Sequence, residues 1–95
     1  MNTLDQMAEK IIKEQELVIG PLAWSEAEKV NGLQIVDQKK GDITIQNGNP
    51  KDVINRLVAQ YERLFGRASH EVCKDAVKNM LANLAPADVP SSLLV

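Results

Sequence analysis

Ninety-five residues, 44% of them hydrophobic, set a single domain near the lower size limit for a self-supporting core, and one Trp, one Tyr and one Phe mean that core is aliphatic. A net charge of −2 with a pI of about 5.3 gives no general attraction to nucleic acid or an anionic membrane. The single Cys excludes an intrachain disulfide, and no run approaches the roughly 18 apolar residues of a membrane span.

Thr3 and Gln6 have capping-box spacing, and Asp5 suits the positive end of a helix. Leu4, Met7, Ala8, Ile11, Ile12, Val18 and Ile19 follow as an apolar stripe of helical period, opposite Glu9, Lys10, Lys13, Glu14 and Glu16. Gly20-Pro21 interrupts the helix. Pro21 fits the first turn of a second helix, with Ser25-x-x-Glu28 as an alternative start. This arm, from about 22 to 31, turns Leu22, Ala23, Ala27 and Val30 inward and ends at Asn31-Gly32. Leu33–Val36 and Ile43–Gln46 are short and β-branched around a segment of turn composition, 37–42, which predicts a β-hairpin. Two strands alone are marginal, so the hairpin must lie on helices or pair with something else.

After the Asn47-Gly48 turn, Asn49-Pro50-x-Asp52 opens a third helix with the face Val53, Ile54, Leu57, Val58, Tyr61, Leu64 and Phe65. Beyond Gly66, the residues Ala68, Val72, Cys73, Ala76, Val77, Met80, Leu81 and Leu84 keep helical spacing until Pro86. The tail 86–95 ends in Leu93-Leu94-Val95, apolar where chain ends usually fray.

Aligning Gly20 with Gly66 superimposes the two halves at an offset of 46 positions. Met7, Ala8, Ile11, Ile12, Val18 and Ile19 then fall on Val53, Ile54, Leu57, Val58, Leu64 and Phe65, while Gln15 falls on Tyr61 and Trp24 on His70. The predicted fold is mostly α with a small β part: two helix–Gly–helix units, about 3–31 and 50–84, joined by a hairpin at about 33–46. Residues 1–85 are expected to form one domain and 86–95 a C-terminal tail.

The Gly-Pro helical unit, the short hairpin, Asn49-Pro50-x-Asp52-Val53 and Tyr61-Glu62-x-Leu64-Phe65-Gly66 together resemble small uncharacterised domains of cyanobacteria and archaea associated with signalling and regulatory proteins. The resemblance covers roughly residues 10–82. It implies a regulatory or association module and carries no catalytic residues.

Chemistry-bearing residues are few. His70 and Cys73 share a helix face, yet zinc prefers four ligands, which only a twofold axis could supply from this chain. Cys73 continues an apolar face and His70 stands where Trp24 does, so both are read as packing residues. A Cys/His enzyme would need an orienting group and an oxyanion-type loop that the sequence does not signal. Phosphate-binding and calcium loops are absent from the sequence. No catalytic, cofactor or metal residue is therefore assigned, and a non-enzyme is expected. Arg56, Arg63, Arg67 and Lys74 would form a basic stripe if the helices ran straight through Gly66, giving a nucleic-acid or other anion-binding regulator as the alternative. Interspersed Asp52, Glu62, Glu71 and Asp75 favour a solvated face instead.

The expectation is a protein–protein association module, pairing with itself as an isologous C2 homodimer and with an unidentified protein. Val53, Leu57, Tyr61, Leu64 and Phe65, with Trp24, are the expected interface. Two thin helix pairs and a hairpin leave that stripe uncovered; the alternative is a compact monomer in which the two units cover each other. A lone Cys and an N-terminus without a basic-then-apolar leader point to the cytoplasm.

Overall fold

The computed structural model describes residues 3–46 and 48–94; Met1, Asn2, Asn47 and Val95 lie outside the described residues, and with them part of the Asn47-Gly48 turn and the last tail residue. Helix α1 spans Thr3–Ile19 and α2 Leu22–Glu28; strands β1, Leu33–Asp37, and β2, Asp42–Ile45, form the hairpin. Helices α3, Pro50–Phe65, and α4, Arg67–Leu81, follow, and the chain closes with 3-10 turns at Pro86–Asp88 and Ser91–Leu93. The architecture is mostly helical with one two-stranded antiparallel sheet, as the periodicities predict.

Local chemistry explains the boundaries. The Asn49 side chain accepts from Lys51 N at 2.9 Å and Pro50 fills the first helical position, so α3 starts where expected. Thr3 is already helical rather than a cap. Helix α2 begins immediately after Pro21, and Ser25 N donates back to Pro21 O, which places Ser25 inside the helix and removes it as an alternative start. In the hairpin Leu33 faces Ile45 and Ile35 faces Ile43, with a bulge between Ile35 and Asp37 that turns Val36 to solvent. Asp37 Oδ1 accepts from the backbone N–H of Lys39 and Lys40 and shapes the turn.

The 46-residue register recurs in the burial of the two long helices and in the hydrogen bonds of their elbows. Buried residues Met7, Ala8, Ile11, Ile12 and Gln15 of α1 correspond one for one to buried Val53, Ile54, Leu57, Val58 and Tyr61 of α3. Both elbows are built alike. Gly20 N donates to Glu16 O at 2.8 Å and Ala23 N to Gly20 O at 3.0 Å; Gly66 N donates to Glu62 O at 2.8 Å and Ser69 N to Gly66 O at 3.1 Å. Positive φ, +72° and +84°, reverses the chain at each, a conformation that favours Gly.

The units also meet reciprocally. Gln15 Nε2 donates to Ser69 O at 2.8 Å, and its counterpart Tyr61 donates through its hydroxyl to Ala23 O, the counterpart carbonyl, at 2.7 Å. When residue i meets j and the equivalent of i meets the equivalent of j, the contact is isologous. The two units thus pair in the reciprocal manner of an approximate internal twofold, with α1 and α4 packed over a longer stretch than α2 and α3.

The two units diverge after their second helices. Unit one continues into the hairpin, which buries Leu33 and Ile43. Unit two continues into the tail, which does not trail away: Pro90 and Leu93 are buried, and the last turn packs on α3. Residues 86–94 therefore belong to the domain rather than following it. The accessible surface, 5284 Å², matches the roughly 5400 Å² that scaling gives for a compact monomer of this mass.

Candidate functional surface

The expected interface stripe is spent inside the chain. Val53, Leu57, Tyr61 and Trp24 are buried in the common core, where the other unit covers them. A partner could reach them only by displacing half the domain, so these four are corrected from interface to core. Phe65 packs half-buried against the same core, and Leu64 alone of the six stays exposed, at 46%. The physical reason is the twofold pairing: each helix–Gly–helix unit supplies the apolar lid that the other needs.

His70 and Cys73 point to different partners. Cys73 Sγ accepts from Gln15 Nε2 at 3.3 Å, and burial pushes its thiol up to about 11, with Glu62 adding to the rise and the Gln15 hydrogen bond opposing it. A thiol so held is a poor nucleophile at neutral pH. His70 meets the Glu62 carboxylate through Nδ1 and the Ser92 carbonyl through Nε2, the latter at 2.7 Å. Its equivalent, Trp24, donates Nε1 to Glu16 at 2.8 Å, so a ring-to-carboxylate clamp spans both elbows. The second His nitrogen is what unit two adds, and it holds the tail. Asn55 completes that contact, its Oδ1 accepting from Ser92 N at 3.0 Å and Ser92 Oγ at 2.6 Å. Burial likewise raises the Tyr61 hydroxyl well above its ordinary range. No group of three or more His, Cys, Asp or Glu that could hold a metal occurs among the described residues.

The four expected anion contacts do not form one stripe, because the helix axis breaks at Gly66. Arg67 and Lys74 sit on α4, each 3.9 Å from Glu71. Arg56 and Arg63 line a groove between α3 and the end of α2, with Lys29, Val30, Ala59 and Gln60. Arg56 donates to Asn31 O and Arg63 to Gln60 Oε1. Two of the lining residues, Lys29 and Gln60, donate to Glu26 and hold its carboxyl below the ordinary 4.5, Lys29 most strongly.

A second groove lies between α1 and α4, which run side by side from Val18 and Val72 to Lys10 and Asn79. It is the twofold mate of the first: Lys10, Glu14, Leu17, Asp75 and Ala76 stand where Arg56, Gln60, Arg63, Lys29 and Val30 stand in the other. Leu17 is 80% exposed and Val18 61%, with Leu22 44% exposed just beyond the elbow. Sequence reasoning placed Val18 and Leu22 in the apolar faces and passed over Leu17. The signal was the apolar run Leu17-Val18-Ile19, too wide for one buried stripe at this helix end.

Comparison with protein-family models, with curated proteins and with solved structures gives no match. The chain's own second unit is therefore the most informative comparison. It shows which surface residues the fold requires and which it does not.

Proposed function

We propose that this chain is a non-enzymatic protein–protein association module that pairs with further copies of itself through its α1–α4 face. One observation supports this reading. Leu17 and Val18 expose an apolar patch beside Val72 and Ala76, whereas the fold-equivalents of Leu17 and Val72 are Arg63 and Glu26. The same backbone carries charge at those positions in the other unit, so the fold itself does not demand apolar side chains there. Exposed contiguous apolar surface of this kind marks association sites. The pairing of the two units already closes the core, so association here joins finished domains and is reversible on dilution. A regulatory or signalling role fits a module whose chemistry is confined to contact.

Sedimentation of the full chain over a dilution series tests the reading. The expected result is a mass above the monomer at high concentration that falls toward the monomer on dilution, and loss of the larger species in Leu17→Glu/Val18→Glu with an unchanged melting curve. A monomer mass at every concentration overturns it.

A further inference from the structure

Resting on that reading, we infer that copies associate head to tail: the α1–α4 groove of one copy seats on the α2–α3 groove of the next. The two grooves occupy equivalent places in the two units, yet their charges are opposed. The α1–α4 groove has one cation, Lys10, already paired to Glu14 at 3.1 Å, together with the second carboxylate of Asp75. The α2–α3 groove is lined by three cations, Lys29, Arg56 and Arg63, of which Lys29 is paired to Glu26 at 3.0 Å. Asp75 and Lys29 are twofold equivalents of opposite sign, and Glu14 stands where Gln60 does.

Charge selects among the possible pairings. Joining two α1–α4 grooves about a twofold axis sets surplus carboxylates against one another, and joining two α2–α3 grooves sets Arg and Lys against Arg and Lys. Both cost energy that the apolar contact must offset. The mixed pairing brings Asp75 and Glu14 to Arg63 and Lys29, and lets Leu17 and Val18 pack on Ala59 and on Leu64, which is exposed at the matching helix end. Apolar surface meets apolar surface and opposite charges meet at the rim, which is how specific interfaces are divided between core and rim. Such a contact is heterologous. It leaves one groove of each kind open at the ends of the assembly, and growth continues until a ring closes or a filament forms.

Two blocked variants test the pairing. Leu17→Arg/Asp75→Lys disables the α1–α4 face, and Arg63→Glu disables the other. Each alone is expected to weaken self-association by roughly tenfold or more, about 1.4 kcal/mol per decade, while an equimolar mixture restores a species that stops at one copy of each. If Arg63→Glu still self-associates like the wild type, the pairing is isologous and the inference fails. If the wild type is monomeric at every concentration, the association reading itself fails. A second measurement does not depend on the variants folding: raising salt is expected to weaken wild-type association, because opposite charges are being screened. Association that strengthens with salt overturns the head-to-tail pairing in favour of a like-charged interface.

Discussion

Gln15 and Tyr61 stand at equivalent positions 46 residues apart, and each donates its polar tip to a carbonyl at the start of the other unit's second helix. They differ in how well the buried side chain is satisfied. The Tyr61 hydroxyl has its acceptor, whereas Gln15 Oε1 is buried with no hydrogen-bond partner among the described residues. An orphaned buried polar atom keeps its desolvation cost whatever its neighbour gains. Tyr61→Phe is therefore expected to cost about 1–2 kcal/mol, while Gln15→Met, which removes both the donor and the orphan, costs less. Chemical denaturation of the two variants checks the order; a larger loss for Gln15→Met would show that its donations to Ser69 and Cys73 outweigh the orphan.

The elbows separate conformational cost from steric cost. A Cβ added at Gly20 or Gly66 would meet nothing within 4 Å, so any loss on substitution comes from the backbone alone. Gly66 combines φ +84° with ψ −171°, a region other residues rarely enter. Gly66→Ala is expected to cost about 1–3 kcal/mol by that argument. A urea midpoint equal to that of the wild type would show that the elbow relaxes without loss.

How far the sequence carries follows from what each signal measures. The 46-residue register of Met7 to Ile12 on Val53 to Val58 was legible because apolar period reports burial directly. Cap chemistry at Asn49-Pro50 and the Gly20-Pro21 break located helix ends because both act on the local backbone. What covers a stripe is a different matter: Val53, Leu57 and Tyr61 read as an interface because periodicity says a face is buried and not by what. The partner was the other half of the chain, which the sequence alignment contained without showing that the halves dock. The tail was hidden because its anchors, Asn55 and His70, are polar residues on helices and carry no periodic signal. The Arg56–Lys74 stripe assumed a straight axis, and one ψ angle at Gly66 divides it.

The tail's anchoring gives a prediction with two readouts. Leu93 is buried, and Asn55 grips Ser92 by both its backbone N–H and its hydroxyl. Leu93→Ala is expected to cost about 2–4 kcal/mol by loss of burial and the cavity left behind. Asn55→Ala removes the grip without touching the core and costs about 1–2 kcal/mol. Both are expected to speed proteolysis within 86–94, and amide exchange at Ser92 reports the opening directly. Protection of Ser92 equal to the wild type in Asn55→Ala would mean that apolar burial alone holds the segment.

Cys73 makes stability depend on alkaline pH. Burial raises its thiol from the ordinary 9.0 to about 11. A group whose folded pKa lies above its unfolded value stabilises fully below the unfolded pKa and loses that contribution as pH rises through the folded one. Above pH 9 the unfolded chain gives up the thiol proton while the folded chain keeps it, so ionisation favours unfolding until the folded thiol also ionises near 11. The contribution at stake is on the order of 2–3 kcal/mol for a shift of this size. The Tyr61 hydroxyl, raised by the same burial, adds in the same direction at still higher pH. Unfolding free energy measured from pH 8 to 11 is thus expected to fall steadily in the wild type. In Cys73→Ala the slope between 9 and 11 becomes shallower, and adding Tyr61→Phe flattens the more alkaline part. Alkylation of the folded protein at pH 8 is expected to proceed only through opening of the core, and so to accelerate with denaturant. A wild-type slope unchanged by Cys73→Ala would show that the thiol reaches solvent before the fold is lost.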